Sequence, residues 1–209
     1  MFLIVKGWFK MKRMLQDEEE ERFEFGGKSF LEKKLLEART IIASGYVTPE
    51  MASDIQSKLL ILEKQNPEAP ITVFINSPGG NADSGFAIYD IMRFVKPPIV
   101  TVVNGVCASA AVLIFLAADK ERRFSLPQSR FLIHQPATGR QGDATDLAIT
   151  AKEILKMRER YNKIIADATG QTPEKVLQDV NRDFWLNAEE AKEYGLVGKI
   201  ISKREEIEF

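Results

Sequence analysis

The sequence contains a single cysteine, Cys107, and a single histidine, His134. One cysteine excludes an intrachain disulfide and a cysteine-rich metal site, and it fits a reducing, cytoplasmic compartment. The formal net charge of -1 leaves no basic excess for nucleic acid. The longest apolar run, 106–118, contains Ser109 and is too short to cross a bilayer. We therefore expect a protein that binds neither nucleic acid nor membrane.

The first 28 residues mix apolar, basic and acidic blocks, and we interpret residues 1–28 as an N-terminal arm that is flexible or processed. The apolar start is shorter than the roughly 7–15 residues of a secretory signal core, and no small-residue cleavage site follows it. Met11 and Met14 are alternative starts. Residues 29–209 are expected to form one domain.

Apolar strands alternate with helices from residue 29 onward. Thr48 and Pro49 predict the start of a helix that runs to about residue 64. Strands are predicted at 40–44, 71–75, 99–103, 131–134 and 197–201, turns at 76–80 and 104–105, and helices at 84–94, 108–117, 145–169 and from Asn187 to Gly195. This pattern indicates an α/β fold whose sheet is covered on both faces.

Two residues have a chemical and a purely structural interpretation. His134 ends an apolar strand, where it is either a core histidine with satisfied ring nitrogens or a general base presented at a strand end. Ser109 lies among small residues at a predicted strand-to-helix turn. That turn suits a nucleophile approached closely by substrate and backbone N–H groups, but small residues also suit a close helix contact.

Two further segments are weak signals by themselves. Asn76-Ser-Pro-Gly-Gly80 is either a common turn or a turn that exposes backbone donors to a ligand. Asp183, beside Phe184 and Trp185, is either an exposed loop acid or a carboxylate that orients an imidazole.

Taken together and in this order, these segments resemble the ClpP family, the proteolytic subunits of the ATP-dependent Clp protease in the crotonase-like superfamily. The resemblance covers roughly residues 30–202 and implies a crotonase-like, ClpP-type fold of repeated ββα units with a protruding handle helix. The segments that carry it are Phe74-Ile-Asn-Ser-Pro-Gly-Gly80, Gly105-Val-Cys-Ala-Ser109, Ser129-Arg-Phe-Leu-Ile-His-Gln-Pro136, Gly142-Asp-Ala-Thr-Asp146, Arg182-Asp-Phe-Trp-Leu-Asn-Ala188 and Ala191-Lys-Glu-Tyr-Gly-Leu196.

The resemblance implies a serine endopeptidase with Ser109 as nucleophile, His134 as general base and then acid, and Asp183 as the orienting carboxylate. The backbone N–H groups of Gly80 and Ala110 occupy the oxyanion-hole positions. Substrate-binding positions, which pair with the backbone of an extended substrate, are Gly79, Gly139, Arg140, Gln141 and Gly142. No metal or cofactor is implied.

The resemblance also implies partners. Two stacked heptameric rings, a tetradecamer, would enclose the proteolytic chamber, with helix 145–169 at the contact between rings. A AAA+ unfoldase would deliver unfolded proteins, which the subunit cuts to short peptides in protein quality control.

The sequence departs from the family pattern at several places. Ala110-Ala111 stands where Met-Gly is frequent, which keeps the backbone N–H but predicts a substrate pocket of different shape. Asn181 stands where an acidic residue is frequent, and we hypothesise a looser or pH-insensitive contact between rings. The arm lacks the usual axial-loop sequence, so a divergent isoform that assembles with a sister subunit is an alternative.

Three functions are therefore weighed. The first is an active peptidase, and the second is a weakly active or scaffold subunit of a mixed Clp ring. The third is an acyl-CoA enzyme of the crotonase superfamily, whose oxyanion hole stabilises an enolate. The complete Ser-His-Asp set favours the first over the other two.

Overall fold

The computed structural model describes residues 30–137, 139 and 141–207, so the predicted arm at 1–28 lies outside the described residues. The chain divides into two compact units, Met1–Thr40 and Ile41–Phe209. In the first unit the described residues form helix α1 at 30–37.

Strands and helices alternate along the second unit, and the predicted α/β class is confirmed. The strands are β1 Thr40–Ser44, β2 Ile71–Ser77, β3 Ile99–Ala108, β4 Arg123–Ser125, β5 Arg130–Ile133, β6 Phe184–Asn187 and β7 Lys199–Ile200. The helices are α2 Pro49–Gln65, α3 Ala82–Phe94, α4 Ala110–Leu116, α5 Ala144–Thr169, α6 Pro173–Asp179 and α7 Ala188–Tyr194, with short 3-10 turns at Lys120–Arg122 and Arg204–Glu206.

The sheet is arranged around β3. Its main path runs β1-β2-β3-β4-β7, and β5 pairs with both β3 and β6. β3 pairs in parallel with β4 through 101–103 and with β5 through 106–108. β5 and β6 are antiparallel. The far end of β3 therefore pairs with β5 instead of β4 while it keeps its pairing with β2, and it ends one residue before Ser109.

The predicted turn at 104–105 is wrong, because β3 continues through it to Ala108. The pairing register shifts at this point: Ile75 pairs with Val103, whereas Ser77 pairs with Cys107. The extra residues of β3 form a bulge, with Gly105 at a φ of +145°. Asn76 Oδ1 accepts a hydrogen bond from the Val106 N–H at 3.2 Å, which satisfies the bulged backbone. An Asn-Gly pair therefore marks a bulge here instead of a hairpin turn.

The helix ends follow the predicted capping residues. Thr48 accepts from the backbone N–H of Met51 at the start of α2, and Asn187 forms a capping box at the start of α7. Gly170 ends α5 with a φ of +78°. α3 begins two residues earlier than predicted, at Ala82, because Asn81 is its N-cap. Neither the four elements α1, β4, α6 and β6 nor the two 3-10 turns are predicted from the sequence.

The core of the second unit lies between the sheet and helices α2, α3 and α4. Every residue of α4 is buried, and α2 contributes Ile55, Leu59 and Leu62 at helical spacing. Burial of such aliphatic side chains stabilises the fold by about 1.5–3 kcal/mol each. None of the helices in the described ranges is both long and apolar enough to cross a membrane.

Candidate active site

Ser109 lies at the turn from β3 into α4 in a backbone conformation that non-glycine residues seldom adopt. Its φ is 55° and its ψ is -121°, and a residue held in such a region costs about 1–3 kcal/mol. Three hydrogen bonds hold the conformation. The Ser109 N–H donates to the carbonyl of Leu132 at 2.9 Å, and the Ser109 carbonyl accepts from the Val112 N–H at 3.0 Å and from Tyr161 Oη at 3.2 Å.

The turn after β2 packs directly on Ser109 and needs glycine to do so. Gly79 has a φ of +91°, and a Cβ atom there would lie 2.5 Å from the carbonyl oxygen of Ala108 and 2.8 Å from Ser109 Cβ. At Gly80, φ is +150°, and a Cβ atom would overlap the carbonyl oxygen of Val47. Both glycines therefore serve a close approach of two backbone segments as well as a positive φ.

His134 and Asp183 are brought together by the register of β5 and β6. Ile133 pairs with Phe184 in the antiparallel ladder. One step further along each strand, the next opposed residues are His134 and Asp183. The His134 Nδ1 atom lies 3.2 Å from Asp183 Oδ1. The contact thus follows from strand pairing, although 48 residues separate the two along the chain.

This contact fixes the role of each imidazole nitrogen. An ionised carboxylate only accepts hydrogen bonds, so a neutral His134 carries its proton on Nδ1 and leaves a lone pair on Nε2. The His134 side chain is 29% exposed, whereas that of Asp183 is 65% exposed. Nε2 is therefore available as a base, with the carboxylate on the opposite side of the ring.

Gln135 ties the segment before Asp183 to the end of β5. Its backbone N–H donates to the carbonyl of Val180 at 2.8 Å, and its side-chain Nε2 donates to the carbonyl of Asn181 at 3.1 Å. The sequence placed Gln135 in a motif but assigned it no role. The signal in the sequence is a polar side chain directly after the candidate base, where it can hold the segment that leads to Asp183.

Ser109 and His134 open onto one cleft with a volume of about 420 Å³. Slightly more than half of its wall is apolar, which suits burial of a substrate side chain. The lining residues are Gly80, Asn81, Ala82, Asp83, Phe86, Ser109, Ala110, Leu113, His134, Pro136, Ala137, Ile154, Met157 and Tyr161.

Two backbone donors line the same cleft. Ala110 is the first residue of α4, so its N–H has no acceptor within the helix. No acceptor for the Gly80 N–H is found among the described residues. Gly79 brings the two donors together: a Cβ atom built on Gly79 would lie only 3.1 Å from the Ala110 nitrogen. Such paired donors suit an oxygen atom that gains negative charge.

Comparisons with known proteins identify the family. The model of the Clp protease family matches residues 27–204. The chain belongs to the Clp protease family. It is 47% identical to ATP-dependent Clp protease proteolytic subunit 2 of Treponema denticola, over 90% of this chain and 94% of that protein. It is 50% identical to the subunit of the same name from Pseudomonas aeruginosa, over 82% of this chain and 85% of that protein.

A solved structure agrees with the sequence comparisons. The structure of a ClpP1 point mutant from Listeria monocytogenes superposes with a TM-score of 0.79 at 46% identity. The superposition covers 85% of this chain and 99% of the Listeria chain. The protein is thus a Clp-type proteolytic subunit, with the serine peptidase activity of its family.

The structure separates the predicted site residues of this Clp subunit into two groups. The cleft is lined by Ser109, His134, Gly80 and Ala110. Asp183 is not part of the lining, but its carboxylate contacts the His134 imidazole. Among the described residues, Ser109 and His134 share the cleft without a hydrogen bond between them.

Those remaining substrate-binding positions that the structure describes lie outside the cleft wall. Gly139, Gln141 and Gly142 are exposed and belong to no strand, while Arg140 lies outside the described residues. Gly79 lies behind Ser109, in contact with the nucleophile turn.

Burial keeps two groups beside Ser109 uncharged. It raises the pKa of the Cys107 thiol above its usual value, so this cysteine is a poor nucleophile. Burial, and secondarily the nearby Cys107, also raises the pKa of the Tyr161 phenol. Tyr161 therefore remains protonated and acts as a hydrogen-bond donor. The sequence did not point to Tyr161, because one tyrosine on the apolar face of a long helix resembles ordinary core packing.

Proposed function

We propose that the chain is a serine endopeptidase subunit whose catalytic triad is Ser109, His134 and Asp183. The observation that carries the proposal is the presence of Ser109 and His134 on one cleft, with Asp183 Oδ1 at 3.2 Å from His134 Nδ1. A nucleophile, a base and a carboxylate that orients the base are the three parts of a triad, whatever their order in the sequence.

The reaction proceeds in two steps. Ser109 Oγ attacks the peptide carbonyl while His134 Nε2 takes the hydroxyl proton, after substrate has brought the two within hydrogen-bond reach. His134 then gives this proton to the leaving amine, which leaves an acyl group on Ser109. A water molecule, deprotonated by His134, attacks that ester, and His134 returns the proton to Ser109 Oγ as the acyl group leaves as a carboxylic acid. The N–H groups of Gly80 and Ala110 stabilise the oxyanion in both steps, and loss of one such donor slows catalysis about 100- to 1,000-fold.

The substrate is an unfolded protein, bound as an extended chain. The loop residues Gly139, Arg140, Gln141 and Gly142 hydrogen-bond its backbone, whereas the N–H and carbonyl of Gly79 are already bonded to Ser77 Oγ and to the Val47 N–H. The apolar cleft takes one side chain. Backbone pairing recognises an extended peptide without reading its side chains, so cleavage has little sequence preference. The products are short peptides.

The working enzyme is a pair of stacked heptameric rings supplied by a AAA+ unfoldase in the cytoplasm. Helix α5 provides the contact between rings, and its first half exposes three large apolar side chains, Leu147, Ile149 and Leu155. Exposed apolar residues on one element are typical of an interaction surface. In this proposal residues 1–28 are the arm and residues 29–209 the peptidase domain.

A fluorophosphonate probe tests the nucleophile. The assembled protein should be acylated at one residue, and Ser109→Ala should abolish both labelling and peptide hydrolysis. Ser53→Ala is the matched control, because Ser53 is exposed on α2 and its hydroxyl donates to the carbonyl of Pro49, within the same helix. Labelling that persists in Ser109→Ala would show that another residue is the nucleophile.

Native mass spectrometry of the same labelled sample separates the active subunit from the scaffold alternative. A labelled fourteen-subunit species made of this chain alone supports an active homomeric peptidase. A chain that stays unlabelled until a sister subunit is added is instead a weakly active or scaffold member of a mixed ring.

A further inference from the structure

Tyr161 connects the long helix α5 to the backbone of Ser109. It lies where α5 enters the core and is 5% exposed. Its hydroxyl donates to the Ser109 carbonyl oxygen at 3.2 Å, and the side chain also lines the cleft. A side chain 52 positions further along the sequence therefore contacts the peptide group that follows the candidate nucleophile.

The position of this hydrogen bond matters because of peptide geometry. The Ser109 carbonyl and the Ala110 N–H belong to one planar peptide group and point in opposite directions. A donor that fixes the carbonyl on one side therefore fixes the direction of the N–H on the other. The Ala110 N–H is one of the two proposed oxyanion donors. The Tyr161 hydroxyl thus acts on the oxyanion hole through the Ser109–Ala110 peptide group and not through a contact with substrate.

We propose that Tyr161 is a positioning residue for the oxyanion hole: its hydroxyl, bound to the Ser109 carbonyl, aims the Ala110 N–H at the reacting oxygen. This inference rests on the proposed function of Ser109 and Ala110. The hydroxyl adds to the Val112 N–H, which reaches the same carbonyl from within α4. Removing the hydroxyl leaves the Val112 bond, so α4 remains folded while the peptide plane gains freedom to tilt.

A packing role for Tyr161 makes a different prediction. If only the ring matters, Tyr161→Phe keeps the wild-type kcat and KM, whereas Tyr161→Leu leaves a cavity. If the hydroxyl positions the Ala110 N–H, phenylalanine loses transition-state stabilisation and keeps substrate binding. The two roles therefore differ in whether kcat or KM changes, and in whether phenylalanine substitutes for tyrosine.

The experiment compares Tyr161→Phe with the wild-type ring on a fluorogenic peptide. Loss of one neutral hydrogen bond predicts a kcat lower by about 3- to 10-fold, with KM within twofold of wild type. A peptide boronate, which places an oxygen in the oxyanion hole, should bind more weakly by the same factor. The pH profile should keep its shape, because the pair of His134 and Asp183 is untouched.

Tyr194→Phe is the matched control. Tyr194 is also a buried tyrosine, and its hydroxyl donates to Asp179 Oδ2 at 2.9 Å, away from the cleft. This variant should keep the wild-type kcat and boronate affinity. Wild-type kcat in Tyr161→Phe, or an equal loss in Tyr194→Phe, overturns the proposal. Full peptidase activity in Ser109→Ala would instead overturn the proposed function itself.

A crystal structure of the wild-type ring with the boronate on Ser109 tests the inference without any variant. The proposal requires the Tyr161 hydroxyl to remain bonded to the Ser109 carbonyl while the Ala110 N–H contacts the boronate oxygen. A tyrosine that has moved away from this carbonyl in the complex contradicts it, even if Tyr161→Phe fails to assemble.

Discussion

The backbone N–H of Ser109 donates to the carbonyl oxygen of Leu132, at a distance of 2.9 Å. Leu132 lies two residues before His134 and pairs with Trp185 across the antiparallel ladder, two residues after Asp183. Backbone pairing therefore connects Ser109 to β5, which precedes His134, and connects β5 to β6, which follows Asp183. Their spacing is set by sheet hydrogen bonds, which are less variable than side-chain packing.

Asp183→Asn should lower kcat strongly and leave KM almost unchanged. The amide can donate to His134 Nδ1, which favours the tautomer with the proton on Nε2 and removes the base. A loss of about 100- to 10,000-fold in kcat is expected for this change in a triad. Steady-state peptide hydrolysis measures it.

The control for that measurement is Asp119→Asn. Asp119 is another exposed carboxylate with a basic partner, Arg122, and it lies outside the cleft lining. It should leave kcat within twofold of wild type. A mild effect of Asp183→Asn, similar to that of the control, would remove Asp183 from the triad and leave a dyad.

Gly79→Ala should disrupt the site far more than Gly45→Ala. The two glycines have almost the same positive φ, +91° and +87°, so the backbone strain of an alanine is matched at about 1–2 kcal/mol. A Cβ atom at Gly45 meets nothing within 4 Å, whereas one at Gly79 meets Ala108 and Ser109. Fluorophosphonate labelling should be lost only in Gly79→Ala. Equal labelling of both variants would show that the turn can move away from Ser109.

Ala110→Met should change which side chains the cleft accepts. The backbone N–H remains, but the larger side chain fills part of the apolar wall near Leu113 and Phe86. We expect kcat/KM to fall about tenfold for peptides with an aromatic residue before the cleaved bond, a size typical of steric discrimination in apolar pockets. Peptides with alanine there should change little. An equal loss for both peptides would indicate damage to the oxyanion donor instead.

Asn181→Asp should make assembly depend on pH. Asn181 is exposed, and its carbonyl is held by Gln135. The new carboxylate, two residues from Asp183, can pair with a cation of the facing ring only when it is ionised. Sedimentation velocity should show a more stable double ring for this variant at pH 7 than at pH 4, because carboxylates gain protons over that range. Identical profiles for the variant and wild type would refute the idea.

The elements predicted well from the sequence are those with strong local signals. Thr48 followed by Pro49, the Asn187 capping box and Gly170 each mark a helix end through contacts within a few residues. The short strands β4 and β6 have no such signal. Arg123 in β4 is buried, and Trp185 in β6 is 46% exposed, so neither strand shows a simple apolar pattern. Their existence depends on partners distant in the sequence.

The candidate site divides in the same way. Ser109 stood out because small residues surround a strand-to-helix turn, and His134 because it is the only histidine. The contact of Asp183 depends on the pairing of β5 with β6, and the role of Tyr161 depends on where α5 meets α4. Both are long-range relationships that no local pattern encodes. The sequence predicts a turn at 104–105 where the structure has a bulge, for a related reason: Asn76, which stabilises the bulge, belongs to another strand.

The register of β5 and β6 has an evolutionary consequence. Since backbone pairing places His134 against Asp183, the segment that joins them does not determine their distance. The exposed first half of helix α5, before Tyr161, can gain or lose whole turns while the imidazole keeps its carboxylate. An insertion of one residue inside either short strand, by contrast, would turn one of the two side chains to the opposite face of the sheet. Natural variation in chain length should therefore concentrate in the connection and spare the two strands.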